Sequence, residues 1–587
     1  MPEFTRIFDI IHYQNQQIPL SVCMARREDK QTWTTYSTQQ IIDKVNQLSS
    51  GLLKLGIQKE DKVAIIATTN RPEWHFVDMA VQQIGAITVP IYPTIAKQEY
   101  EFIFNHASIK CLFISDKIIY RRIKDVLPNI ISLKNIFSFD EVESIQNIKT
   151  LYQTNETKQI NTIKDTIQPN DVATILYTSG TTGVPKGVML THNNIVSNVK
   201  GCLQLVTIFP NEKTLSFLPL SHVFERTINY TYLATGASIY FADGLESIAE
   251  NLQDIKPQYF TTVPRLLERV FEKIIKKSKE LNYIKKSLFD WALDLATNLE
   301  LGQERSFVEE IELNIANQLV FDKWRLALGG NIKAIVCGSA PLQPKLATIF
   351  TNAQIPILEG YGLTECSPVV SVIPNRADCY RAGCVGKILP HLEVKIADDG
   401  EILVRGDSVM KGYFNDDAAT KKTITTDGWL LTGDIGAFTE DGYLRITDRK
   451  KELFKTSGGK YVAPAPIENK MKESFFIEQI ALIGDGEKFI GALIVPNFEE
   501  LSSWASTHNI KTEDNTQLIE NPKVVALYQS IISENNVNFG KVEQIKQFKL
   551  LNEAWTVENG LLTATMKLKR KKIKEAYQDI IQSIYNK

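Results

Sequence analysis

The stretch DKVAIIATTNRPEWHFVDMAVQQIGAITVPIYPT, residues 61–94, decides the fold class. Val63 to Ala67 is a short apolar run with β-branched residues, which suits a strand buried on both faces. Glu73 to Gln83 holds helix-forming residues, and Gly85 ends them. Ala86 to Pro90 is apolar again. Strand, helix and strand in so short a span make a crossover unit, and a crossover joins parallel strands. The pattern recurs around Lys110 to Ser115 and Asn331 to Cys337, with helical stretches between. A doubly wound α/β body follows, its sheets covered by helices. From Arg265 to about Gln318, Leu266, Leu267, Val270, Phe271, Ile274 and Ile275 fall at helical spacing while Lys and Glu fill the other face, which predicts an amphipathic helical layer. After Gly383 the texture changes to short β runs at 393–397 and 401–405, broken by Asp399-Gly400, Asp427-Gly428 and Asp441-Gly442, as in an antiparallel, β-rich subdomain. The charged run Asp448 to Glu452 opens a last α+β segment that ends in the basic stretch Lys567 to Lys574. The expected division is a large domain, 1–449, and a small mobile one, 450–587.

Composition narrows the class of partner. With 587 residues the chain can bury several cores. Its 66 Lys and Arg against 68 Asp and Glu leave a net charge of −2, without the basic excess that nucleic-acid binding needs. Seven cysteines, odd in number and without a C-x-x-C pair, suggest neither a disulfide framework nor a zinc site, and a reducing cytoplasm fits them. The first residues lack the pattern of a signal peptide, and no run approaches about 18 apolar residues. Repeats and long low-complexity linkers are not found.

The densest chemical signal is Tyr177-Thr178-Ser179-Gly180-Thr181-Thr182-Gly183-Val184-Pro185-Lys186-Gly187-Val188, directly after the strand-like run 172–176. Glycines let backbone amides converge on an anion, hydroxyls add donors, and Lys186 adds a positive charge. This is a phosphate cradle by composition, but not a Walker A loop, which would need Gly at 185 and Ser or Thr at 187.

These twelve residues resemble the signature of the adenylate-forming superfamily, which includes acyl-CoA synthetases, adenylation domains and luciferases. Other segments resemble its motifs in the same order along nearly the whole chain. In Phe217-Leu-Pro-Leu-Ser-His222-Val-Phe-Glu-Arg226 the resemblance implies that His222 borders an acyl pocket. Gly338, Ser339 and Ala340 resemble an adenine-contacting turn. In Glu359-Gly360-Tyr361-Gly362-Leu363-Thr364-Glu365, Tyr361 would stack on adenine, Thr364 would meet phosphate, and Glu365 would bind Mg²⁺, with Thr178 as a second metal contact. Asp434 would hold the ribose hydroxyls, Arg449 would lie toward ribose, and Lys451 stands at the hinge position. Ser457, Gly458 and Gly459 resemble the loop that lines the coenzyme A tunnel. Taken singly, His222 reads as a core histidine and Arg449 to Lys451 as solvated charge; their joint order carries the resemblance.

The implied chemistry joins a carboxylate to ATP. Mg²⁺ and Lys186 would offset β/γ charge while the acid attacks the α-phosphorus, and a lysine of the last domain would reach the reacting centre. The family pattern has Gly before that lysine; here Met566 precedes Lys567, with Lys569 as the alternative. The context of Thr262 to Phe271, that of Ser221 to Arg226 and the elaborated segment Asn497 to Phe539 resemble the long-chain fatty acyl-CoA synthetase branch. The expected reaction is AMP-forming ligation of a long-chain fatty acid to coenzyme A. The alternatives are a fatty acyl-AMP ligase that loads a carrier protein and a non-catalytic nucleotide-binding relative. Further expectations are a homodimer, no nucleic acid, and peripheral membrane association assisted by basic faces near Lys273 to Lys286.

Overall fold

The crossover at residues 61–94 consists of strand Lys62–Ile66, helix Pro72–Gln82 and strand Ile87–Ile91, with Lys62 opposite Ile87 in a parallel pair. Pro72 opens the helix, where its missing N–H would have had no partner. Every residue of this helix except Glu73 is buried, so His75 and Asp78 need internal partners. The computed structural model describes residues 3–28, 32–153, 157–179, 184–244, 246–510, 514–563 and 566–586.

The chain divides into two compact units. The larger comprises Met1–Lys395, Leu403–Thr432 and Phe438–Arg445; the smaller comprises Ile396–Ile402, Gly433–Ala437 and Ile446–Lys587. The larger holds two big sheets. One has eight strands, in the order Gly412–Tyr413, Pro185–Thr191, Val172–Ser179, Ile87–Ile91, Lys62–Ile66, Cys111–Ile114, Asn135–Ser138 and Gln146–Asn147. The other has nine, and its centre is the parallel series Ser238–Phe241, Lys213–Ser216, Tyr259–Thr262, Ala334–Cys337 and Ile357–Gly362.

The predicted helical layer is several helices: Pro264–Ser278, Tyr283–Asn298, Phe307–Ala316 and Asp322–Ala327, with a wider turn at Asn317–Phe321. Breaks fall where side chains cap a new start: Asn282 accepts from the Lys285 amide, and Ser306 and Glu309 form a reciprocal capping box. Trp324 is the hub of the buried face, with Phe271, Phe289 and Phe350 around it. The β-rich subdomain has strands Leu392–Ile396, Glu401–Gly406, Leu430–Phe438 and Leu444–Arg449 in one sheet.

In the smaller unit, strand Ile490–Pro496 pairs antiparallel with Ile477–Ile483 and parallel with Ile545–Leu550. Side chains alternate between faces: Ile480, Leu482, Ala492 and Ile494 join one core, and Ala481, Ile483, Leu493 and Val495 join another. Both faces are covered, which is why these strands are almost continuously apolar. No helix among the described residues is long and apolar enough to cross a membrane.

Candidate functional site

Several motif segments leave the carboxyl edge of the nine-stranded sheet. Strand Lys213–Ser216 runs into the segment with His222, Ala334–Cys337 into Gly338 to Ala340, and Ile357–Gly362 carries Glu359 to Gly362 before Thr364 and Glu365. Loops converge at this edge of a parallel sheet, and ligands bind there. A cavity lined by Thr68, Asn70, Pro93, Phe217, Pro219 and Gly244 opens at the strand ends. Asn70 ties them together, donating to Ser216 Oγ at 2.9 Å and to the Leu218 carbonyl at 2.6 Å.

His222 caps helix Val223–Thr235, its Nδ1 accepting from the Phe224 amide at 3.1 Å. That bond puts the proton of the neutral ring on Nε2. Glu225 and Arg226, one turn on, are fully buried and structural. Glu225 accepts from Ser216 Oγ, Thr261 Oγ1 and Asn229 Nδ2, yet burial still pushes its carboxyl up to about 7. Arg226 pairs with Asp78, donates to Thr174 Oγ1 at 2.8 Å, and lies over Trp74 at 5.3 Å.

Cys337 stands opposite Glu359 in register. Ser339, in the turn that follows, has φ +69°. Gly362 is obligatory: a Cβ there would sit 1.9 Å from the Pro368 carbonyl oxygen. Thr364 starts a single turn, Thr364–Cys366, and Glu365 is held through its carbonyl by the Met410 amide at 2.8 Å.

Glu359 is buried and its Oε1 has no hydrogen-bond partner; burial pushes its carboxyl from about 4.5 up to about 8. The folded protein therefore holds a proton that the unfolded chain has lost between those values, so stability falls as pH rises through this window and levels off above it. The slope approaches about 1.4 kcal/mol per pH unit at most. Glu359→Gln is expected to remove this component, so its unfolding midpoint should gain on that of the natural chain from pH 5 to 8; parallel curves would count against a protonated Glu359.

The phosphate-cradle segment begins and ends on two antiparallel strands, Val172–Ser179 and Pro185–Thr191. Strand Val172–Ser179 continues past the expected end at 176, pairing Tyr177 with Gly187, Thr178 with Lys186 and Ser179 with Pro185. Gly180, Thr181, Thr182 and Gly183 lie outside the described residues, and of Ser179 only the backbone is described. Gly187 admits no side chain, since a Cβ would come within 2.8 Å of Ile175 Cγ2 and 3.3 Å of the Tyr177 ring. Lys186 Nζ lies 4.9 Å from the centroid of the Tyr413 ring, and the Tyr413 hydroxyl donates to Glu365 Oε1 at 2.9 Å. Sequence reasoning missed Tyr413, which sits on a two-residue strand with no periodicity to reveal it.

In the smaller unit, Arg449 pairs with Asp434 at 3.3 Å, Lys450 bridges Asp399 and Glu401 at 2.6 and 2.7 Å, and Lys451 is exposed. Ser457, Gly458 and Gly459 form an exposed turn between strands Phe454–Lys455 and Tyr461–Val462. Lys567 closes a tight turn: its amide donates to Thr563 Oγ1 at 3.0 Å, and the Thr563 amide donates back to its carbonyl at 2.8 Å. Met566 takes φ +61°, the left-handed conformation that glycine takes freely and other residues adopt at a cost of about 1 kcal/mol. Buried Leu561 and Leu562 hold one side of this turn. On the other, Arg570 grips Glu468 with two bonds of 2.7 and 2.6 Å and reaches Glu452 at 3.1 Å. Lys569, whose amide donates to the Leu561 carbonyl at 2.9 Å, stands at the start of helix Arg570–Ala576.

Residues 12–414 match the AMP-binding enzyme family, and residues 452–587 match the AMP-binding enzyme C-terminal domain. The long-chain-fatty-acid–CoA ligase FadD15 of Mycobacterium bovis is 33% identical over 564 residues, covering 94% of this chain and 93% of its own. Human long-chain-fatty-acid–CoA ligase 1 is 31% identical over 601 residues, covering 96% and 84%. Among solved structures, the adenylation domain of a carboxylate reductase from Mycobacterium chelonae has the same fold, with a TM-score of 0.76 at 20% identity over 100% of this chain and 92% of that one. Motif order, sheet-edge geometry and full-length relatives agree: the chain belongs to the AMP-binding enzyme family, in its long-chain acyl-CoA synthetase branch.

Proposed function

We propose that the protein ligates a long-chain fatty acid to coenzyme A in two steps. The carboxylate first attacks the α-phosphorus of ATP, giving acyl-adenylate and pyrophosphate; the thiol of coenzyme A then attacks the acyl carbon and AMP leaves. The observation that supports this best is the meeting of the His222, Gly338 and Glu359 to Glu365 segments at the carboxyl edge of the parallel centre of the nine-stranded sheet. The relatives' named activity is the second support.

In this reading Lys186 and Thr178, with the glycine-rich residues between them in the sequence, bind the β- and γ-phosphates. Tyr361, Ser339 and Ala340 take the adenine, Asp434 and Arg449 the ribose, and Thr364 a phosphate oxygen. His222 orients the acid through Nε2, and Lys567 offsets charge at phosphorus. Among the described residues no group of three or more His, Cys, Asp or Glu side chains could hold a metal ion. A lone carboxylate such as Glu365 fits Mg²⁺, which keeps most of its shell in water and phosphate oxygens and would make pyrophosphate a better leaving group.

The deciding experiment is pyrophosphate release from ATP and Mg²⁺ with acids from acetate to oleate, with and without coenzyme A, the product read by mass. Acyl-CoA from the longer acids is expected. Acyl-AMP alone would move the acceptor to a carrier protein, and no pyrophosphate with any acid would remove the enzyme assignment. We also propose a boundary near Lys450 and a hinge at Lys451 that lets residues 450–587 present Lys567 in the first step and Ser457 to Gly459 in the second. Lys451→Pro is then expected to retain adenylation and lose thioester formation; equal loss of both would count against the hinge.

Residues 276–286 suggest where a membrane is met. Lys276, Lys277, Lys279, Lys285 and Lys286 outnumber the acids Glu280 and Asp290, the latter paired with Lys286, and Tyr283 and Ile284 are 86% and 78% exposed. This corner suits an anionic lipid surface. Co-sedimentation with phosphatidylglycerol vesicles but not phosphatidylcholine vesicles is expected, and its persistence in a Tyr283→Ser, Ile284→Ser variant would refute this contact.

A further inference from the structure

Lys186 and Glu365 carry opposite charges and, on the reading above, serve the phosphates and the metal beside them. Two such groups left together would form an ion pair, each occupying the other before nucleotide arrives. Among the described residues they form no ion pair with each other. Tyr413 satisfies both instead. Its ring faces the Lys186 ammonium at 4.9 Å, a cation–π contact, and its hydroxyl donates to Glu365 Oε1 at 2.9 Å.

Tyr413 is itself firmly placed. It is buried, stands opposite Val188 on the strand that holds Lys186, and donates its amide to Thr420 Oγ1 at 2.9 Å. The Met410 amide, three residues earlier, holds the Glu365 carbonyl. One short segment therefore fixes both charged residues.

We propose that Tyr413 is a positioning residue that holds the Lys186 ammonium and the Glu365 carboxylate apart as two separate arms, one for phosphate oxygens and one for a divalent cation. The proposal rests on the nucleotide reading above. It implies that the two arms can be weakened separately, because the ring serves one and the hydroxyl the other.

The test is calorimetric titration of the full chain with ATP across a range of Mg²⁺ concentrations, for the natural chain, Tyr413→Phe and Tyr413→Leu, with thermal unfolding as a check on folding. Tyr413→Phe keeps the ring. It should bind metal-free ATP within about twofold of the natural chain and need about tenfold more Mg²⁺ for half its effect, the usual consequence of losing a hydrogen bond to a charged group. Tyr413→Leu should also weaken metal-free binding several-fold, as Lys186 turns to Glu365. A Mg²⁺ requirement unchanged in Tyr413→Phe overturns the inference. So does equal weakening of metal-free binding in both variants, which marks packing alone. If Tyr413→Leu does not fold, Tyr413→Phe decides by itself. Absence of ATP binding by the natural chain at any Mg²⁺ concentration would overturn the nucleotide reading and the inference with it.

Discussion

Replacing Asp78 with alanine is expected to destabilise the larger unit by about 3–5 kcal/mol, because it leaves the Arg226 guanidinium buried without its counter-charge. Both side chains are 0% exposed, with Arg226 donating to Asp78 at 2.5 and 3.2 Å. The group also binds Tyr230 and Thr174, and Thr174 in turn donates to the Thr88 carbonyl at 2.7 Å. Thr88 and Thr174 belong to the eight-stranded sheet, while Arg226 lies on the helix that His222 caps. The network therefore fixes the direction of that helix against a sheet it does not follow in sequence. A double variant, Asp78→Leu with Arg226→Met, is expected to recover most of the loss, since it removes both charges rather than stranding one. Denaturant midpoints for Asp78→Ala, Arg226→Met and the double variant measure this; a cost below about 1 kcal/mol for Asp78→Ala would mean that water reaches the arginine.

Lys567→Ala is expected to slow adenylation about a hundredfold or more, near 3 kcal/mol, while leaving conversion of supplied acyl-adenylate to thioester within a few-fold. Lys569→Ala should change adenylation little. The turn supports this ranking: Lys567 is fixed at both its amide and its carbonyl by Thr563, whereas Lys569 begins the helix held by the Arg570 clamp. Single-turnover assays of the two half-reactions separate these outcomes, and the reverse ranking would transfer the role to Lys569.

What could be read from sequence was what local pattern encodes. The crossover at 61–94 is visible because buried parallel strands are uniformly apolar and their helix is punctuated by Pro72 and Gly85. The helical layer was visible too, although its breaks rest on caps such as Ser306 with Glu309 that a long amphipathic pattern hides. The strand past Leu176 was read as loop because Thr178 and Ser179 are polar, and only pairing with Lys186 and Pro185 makes them extended. Asp78 and Arg226 stand 148 residues apart, and no local pattern announces such a partnership. Tyr413 was hidden for the same reason: its meaning lies in Lys186 and Glu365, both far away in the chain.

Met566 leaves a last consequence. Its backbone holds a conformation that its side chain disfavours, so opening the turn returns about 1 kcal/mol that a glycine would never have stored. On the roles proposed above, the lysine beside it would ride on a latch set to give, as a charge needed in one half-reaction and not in the other requires.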